Sequence, residues 1–271
     1  MGNDPRTTAA DAADHNLDLA TVEAADLRGA APSQKEALVH EVFQNVSEGY
    51  DRLNDVISLG QHRLWKRALV GAITAGNPAD VLDVATGTGD LALWIAGANP
   101  AARVVGADFS ENMLAVAERR LAQGLADGRP LSHVSFSHQN AMSMSFADAS
   151  FDATCVSFGM RNMPDYGAVI REMARILRPG GRFFCLESSF PTNPLIRPLF
   201  GLYFKFVMPL MGRLVGGSPS EYRYLYESTE AFLTKDELAA LMREAGLEGV
   251  GYRSFMFGGA ALHFGRKPDV A

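Results

Sequence analysis

A chain of 271 residues, 47% of them hydrophobic, has enough apolar mass for one large core with appendages, and two unrelated domains would be a tight fit. Its formal net charge of −6 leaves no overall cationic field to gather phosphates, which argues against nucleic acid as a partner. Cys155 and Cys185 each lie inside an apolar stretch and read as buried thiols, and the six histidines show no paired ligand spacing, so neither a disulfide framework nor a metal site is expected.

Residues 1–33 are rich in Ala, Asp and Thr with little apolar periodicity and read as a disordered tail. The segment has no apolar signal core, and its acids outnumber Arg6 and Arg28, so the expected location is cytoplasmic. Residues 34–78 read as a helical cap. Val42, Phe43 and Val46 supply an apolar stripe ending near Tyr50, and a second helix from Arg63 to about Ala75 is expected to turn Leu64, Ala68 and Leu69 inward.

From about Asp80 the pattern changes to strand alternating with helix. Strands are predicted at 81–85, 102–108, 134–138, 151–158 and 182–187. Ser110 is placed to cap the helix after the second strand, with Glu111 in its first turn. A helix over 166–177 ends at Arg178-Pro179-Gly180-Gly181, which cannot continue it. After an interruption, a helix over 235–245 and strands near 250–255 and 260–266 complete the series. Such alternation predicts a mostly parallel sheet with helices on both faces.

The interruption, 190–222, holds the densest apolar run of the chain, from Leu195 to Val215. It is long enough to suggest a membrane span, but Arg197, Lys205 and Arg213 interrupt it and Pro198 and Pro209 would break a continuous helix. The run either packs as ordinary core or closes over an apolar ligand.

Gly87-Thr88-Gly89 follows a buried strand and opens a helix, so the backbone can turn tightly and bring a ligand to the amide-rich helix N-terminus. Asp108 ends the next strand, where a carboxylate can accept from both hydroxyls of a ribose. An adenosine-type ligand fits this arrangement. The same residues, continued through Asp90, Leu91 and Ala92, also satisfy the dinucleotide pattern G-x-G-x-x-A, so an NAD-dependent oxidoreductase competes on this motif. The charge of Asp90 at the helix start would oppose a pyrophosphate, which favours a methyl donor.

Longer motifs carry a resemblance. Tyr50-Asp51-Arg52-Leu53-Asn54-Asp55-Val56-Ile57-Ser58, continuing through His62 to Trp65-Lys66, resembles the N-terminal signature of the ubiquinone/menaquinone biosynthesis C-methyltransferases. Arg175-Ile176-Leu177-Arg178-Pro179-Gly180-Gly181 leading to Glu187 and Ser189, Ser157-Phe158-Gly159-Met160-Arg161-Asn162, and Tyr224-Leu225-Tyr226-Glu227-Ser228 are similar to later segments of that family. The resemblance runs from about residue 36 to 267. Leu53 stands where the family usually has Met, a volume-conserving exchange, and Thr86 where many members have Gly.

This resemblance implies a doubly wound, Rossmann-like class I methyltransferase fold of α/β type, mostly parallel with an antiparallel last strand, over residues 79–267 with the insertion 190–222 as a substrate lid. It implies S-adenosylmethionine as cofactor, held by Asp83, Gly87, Thr88, Gly89, Asp108, Asn140, Ala141 and Ser157. The implied reaction methylates a ring carbon of a polyprenyl benzoquinol or naphthoquinol; methylation of another small hydrophobic phenol is the alternative. Ring carbon is a poor nucleophile until a ring hydroxyl loses its proton, so the site must favour the phenolate. Arg161, permanently charged, is cast as its electrostatic stabiliser, with Asn162 beside it. His62 is a candidate proton acceptor and Tyr50 a residue that shapes the pocket. A polyprenyl substrate implies peripheral membrane contact, and the sequence leaves open whether the chain forms a homodimer.

Overall fold

The computed structural model describes residues 18, 21–31, 33–35, 38–39, 55, 58, 60–208 and 219–269. Its helices are α1 (Ala24–Gly29), α2 (His62–Thr74), α3 (Asp90–Ala98), α4 (Glu111–Ala126), α5 (Tyr166–Ile176), α6 (Ile196–Leu202), α7 (Pro219–Ala231) and α8 (Lys235–Glu244). Its strands are β1 (Asp80–Val84), β2 (Arg103–Asp108), β3 (Val134–His138), β4 (Phe151–Ser157), β5 (Leu177–Ser188), β6 (Glu248–Phe255) and β7 (Ala260–Arg266). A single π-helical turn, Tyr203–Val207, extends α6.

The strands form one sheet in the order β3-β2-β1-β4-β5-β7-β6. Strands β3 to β5 pair in parallel, while β7 runs antiparallel to both β5 and β6. Successive residues of the central strands serve opposite faces, as a pleated backbone requires. Val81 and Phe184 pack under α2 and α3 with Leu69, Ile73 and Ile95. Leu82 and Phe183 pack on the other face under α5 and α8 with Ile170, Met173 and Leu238. Burial on both faces explains why these strands read as continuous apolar runs.

Local sequence fixes several ends. The Ser110 side chain accepts from the Met113 amide at 3.3 Å, as expected for the cap of α4. Thr234 and Glu237 form a reciprocal capping box on α8.

Three expectations differ from the structure. Part of the predicted tail is packed: Val22 and Leu27 are buried with Leu38 against Tyr224 of α7, and the Ala24 amide donates to Glu227 at 2.8 Å. A six-residue helix is too short to display a period, and its partner lies about 200 residues away. Arg178-Pro179-Gly180-Gly181 does end α5, yet it also belongs to β5, as an irregularity where the register jumps from Phe151↔Leu177 to Ala153↔Arg182. Leu64 points outward, 59% exposed, while Leu69 is fully buried. The stripe of Val42, Phe43 and Val46 lies outside the described residues, as does Tyr50. Among the described residues, no helix is long and apolar enough to cross a membrane.

Candidate active site

Strand order reverses between β1, which continues to β2, and β4, and ligands of open α/β sheets bind beyond the carboxyl ends at that point. Here β1 ends in the Ala85–Gly89 turn. Gly87 adopts φ +56 with nothing within 4 Å of where a Cβ would stand, so the backbone faces open space. Gly89, at φ +77, is required for packing: a Cβ would stand 2.7 Å from the Phe136 ring and 2.9 Å from the Ala117 Cβ. A cavity extends from this turn past Asp108, Asn140 and Ala141 to Ser157 and Asn162.

Each Asp108 oxygen accepts one backbone hydrogen bond at 2.8 Å, from Gly87 and from Ser110. A carboxylate has acceptor capacity beyond two such bonds, so Asp108 is fixed by the fold and still able to take ribose hydroxyls. Burial raises its carboxyl above the usual range. Asn140 accepts from the Met142 amide at 2.9 Å, bending the chain so that Ala141 and Met142 line the cavity. The Ser157 hydroxyl, also lining it, is buried and has no protein partner among the described residues; such an atom needs a ligand or water to satisfy it. Thr88 accepts from Arg120 at 2.9 Å, which orients its hydroxyl.

Asp83 sits deeper. It accepts from the Thr86 hydroxyl at 2.6 Å, with the Cys155 thiol at 3.6 Å, and burial pushes its carboxyl up to about 7. Thr86 therefore has a partner below the turn. Lys66 of α2, which the sequence reading did not place, pairs with Asp90 at 2.9 Å, and both line the cavity. That pairing removes the argument made from an uncompensated Asp90. The discrimination passes to topology: a dinucleotide sheet has six parallel strands in the order 3-2-1-4-5-6, whereas this one inserts the antiparallel β7 beside β5.

A second cavity adjoins the first, lined by His62 and Trp65 of α2, Arg161, Phe200, Phe204 and Met256. Phe158, one residue beyond β4, lines both. It is held in the left-handed region at φ +58, a conformation costly for an aromatic residue and typical of functional sites. Its amide donates to the Leu186 carbonyl at 2.8 Å, and its own carbonyl accepts from Arg161 Nη1 at 2.8 Å.

The four residues assigned to chemistry do not stay together. Arg161 and His62 share the second cavity, Asn162 belongs to the first, where it accepts from the Tyr224 hydroxyl at 2.9 Å, and Tyr50 lies outside the described residues. Arg161 is buried and paired with Glu187 at 2.6 Å, so its charge is compensated. His62 is buried, its Nδ1 2.8 Å from the Ser58 hydroxyl, and burial lowers its pKa, assisted by the Lys66 charge. Of the insertion, Phe204 lines the cavity whereas Phe206 faces outward.

A turn at a helix N-terminus, an anchored carboxylate and a buried orphan hydroxyl fit an adenosine-type methyl donor, and an apolar cavity next door fits a hydrophobic acceptor. The model of the ubiE/COQ5 methyltransferase family matches residues 31–267. The chain belongs to this family. It is an S-adenosylmethionine-dependent methyltransferase. Relatives named demethylmenaquinone methyltransferase, from Staphylococcus aureus strains JH9 and Newman, are each 44% identical over 230 residues, covering 84% of this chain and 92% of theirs. Among solved structures, an S-adenosylmethionine-dependent methyltransferase from Thermotoga maritima aligns with TM-score 0.56 at 19% identity over 84% of this chain and 99% of that one. An S-adenosylmethionine-dependent methyltransferase, SibL, aligns at 0.55 and 20% identity over 76% of this chain and 55% of its own length. The cyclase SpnF scores 0.56 at 23% identity over 77% of this chain and 81% of its own. These distant likenesses show the fold alone.

Proposed function

We propose that this ubiE/COQ5-family enzyme methylates a ring carbon of a polyprenyl quinol in quinone biosynthesis, with a naphthoquinol of the demethylmenaquinone kind as substrate. The observation that carries the reading is the pair of cavities meeting at Phe158, one running along the 87–89 turn and Asp108, the other walled by Trp65, Phe200, Phe204 and Met256 with the neutral-leaning imidazole of His62 beside them. The relatives' name supports naphthoquinol over benzoquinol.

S-adenosylmethionine, when bound, supplies an electrophilic methyl group. The 87–89 turn, Asp108, Asn140, Ala141 and Ser157 would hold it, with Asp83 and Thr88 stabilising the turn from behind. His62 takes the proton of a ring hydroxyl at Nε2, in the tautomer whose Nδ1–H donates to the Ser58 hydroxyl. The adjacent ring carbon of the resulting phenolate would take the methyl group as its bond to sulfur breaks, with S-adenosylhomocysteine as the leaving group. Arg161, compensated by Glu187, contributes oriented N–H groups and fixes the Phe158 carbonyl. Once the new carbon–carbon bond forms, the substituted carbon releases its hydrogen as a proton to water, and His62 returns its own proton to the ring oxygen. Tyr50 belongs to the substrate side with the cap 34–78, and the insertion 190–222 covers the isoprenoid tail over the 79–267 domain. The enzyme works in the cytoplasm against the membrane that holds such substrates.

The test is product mass spectrometry with each quinol and a methyl-labelled donor. One labelled methyl on the naphthoquinol ring is expected. No label in either quinol overturns the reading, and label in benzoquinol alone overturns its substrate.

A further inference from the structure

The described residues expose an unusual set of large apolar side chains around the second cavity. Along α6 and its π-helical turn, Leu195, Leu199, Leu202 and Phe206 are 78%, 65%, 53% and 61% exposed. Their spacing of four, three and four puts them on one side of a helix. The opposite side, Phe200, Phe204 and Met208, is buried. This element is therefore apolar on both sides, a pattern of helices that meet a core on one side and lipid or another apolar partner on the other.

Two further elements behave alike. The turn between β6 and β7 places consecutive non-glycine residues, Met256 at φ +47 and Phe257 at φ +56, in the left-handed region. Met256 points into the cavity wall while Phe257 stands 82% exposed. Strain that presents an aromatic ring to solvent calls for a partner there. On α2, His62 and Trp65 line the cavity and Leu64 faces out. The three elements are contiguous: Trp65 stacks on Phe255 with ring centroids 6.2 Å apart, and a Cβ on Gly259 would stand 2.7 Å from the Phe200 ring.

Charge selects the partner. In a chain of net charge −6, the segments 62–74, 196–207 and 250–259 contain no Asp or Glu, and they expose Arg63, Arg67, Arg197 and Arg253. The acids that approach them come from elsewhere, Asp55 on Arg63 and Glu230 on Arg197. We propose that Leu64, the outer side of α6 with its π-helical turn, and Phe257 together form a docking surface for an anionic lipid bilayer, so that the second cavity opens toward the hydrocarbon. The proposal rests on the quinol reading only for why a cavity should open there; docking itself needs no substrate.

The experiment uses the full chain, with vesicles of phosphatidylcholine alone or mixed equally with phosphatidylglycerol, in co-sedimentation. The wild type is expected to bind the mixed vesicles at least about tenfold better than the neutral ones. The double variant Leu199→Asp, Phe257→Asp should lose about tenfold or more in binding. Its melting temperature and its turnover of a short-tailed, soluble quinol should not change, since both residues are exposed and Asp tolerates the left-handed region. Unchanged vesicle binding by the variant overturns the surface. Equal binding of both vesicle types overturns the role of charge. Wild-type dimers that the variant dissolves, without vesicle binding, show instead an interface between copies of the chain. Absence of turnover by the wild type would count against the quinol reading and leave the vesicle result standing.

Discussion

At the scale of single residues, His62 and Asp83 show how burial sets protonation. Burial lowers the His62 pKa, so the imidazole is neutral, and able to accept a proton, down to a pH below its usual value of about 6.5. Turnover should therefore rise with pH along an acidic limb centred below that value and stay level through neutrality, provided the quinol itself does not titrate there. Rate measurements across pH should show that limb for the wild type and a flat, slow profile for His62→Gln; a Gln variant keeping both rate and limb would remove His62 from the chemistry. For Asp83 the shift is upward, to about 7. The folded protein binds this proton more tightly than the unfolded chain, so stability contributed below pH of about 4 is lost as pH rises toward 7. Asp83→Asn, which can still accept from Thr86, should melt like the wild type at low pH and above it at pH of about 8; the reverse order would show Asp83 ionised and stabilised in the fold. Asp108 and the glycine turn were legible in the sequence because one motif brings them to adjacent strand ends. Lys66, the Ser58 partner of His62, and the neutralisation of Arg161 were not, since each depends on residues that only packing of separate elements brings together.

At the scale of elements, several helices and strands were legible to within a residue or two: β3 and β7 begin and end at the predicted residues, 134–138 and 260–266, and Ser110 marks the start of its helix. What escaped was the short helix α1, which joins a local capping box of Glu23 and Asp26 to burial against a distant helix. Deleting residues 1–33 removes Val22 and Leu27 from contact with Tyr224, together with the Ala24–Glu227 hydrogen bond. Burying two aliphatic side chains outweighs the ordering of so short a segment only modestly, so the melting temperature should fall by roughly 5 °C. A truncated chain with unchanged melting would return the whole segment to the status of a tail. The element also leads toward Lys35, which donates to the Tyr166 hydroxyl at 2.7 Å, and Val39, which lines the first cavity.

At the scale of the whole molecule, alternation of strand and helix disclosed a parallel sheet, but strand order came only with the structure, because pairing partners leave no local trace in apolar runs. The order matters for ligand choice: the demethylated product S-adenosylhomocysteine should raise the melting temperature of the enzyme measurably while NAD at the same concentration leaves it unmoved. Stabilisation by NAD alone would overturn the donor site. The same topology bears on how the chain comes to be made. The Ala24 amide meets Glu227 across 203 residues, so during synthesis at about 5–20 residues per second the N-terminal helix emerges roughly 10–40 s before its partner. Throughout that interval Val22 and Leu27 are exposed apolar groups on a nascent chain, and a helix added near the end of synthesis is the one that fastens the first.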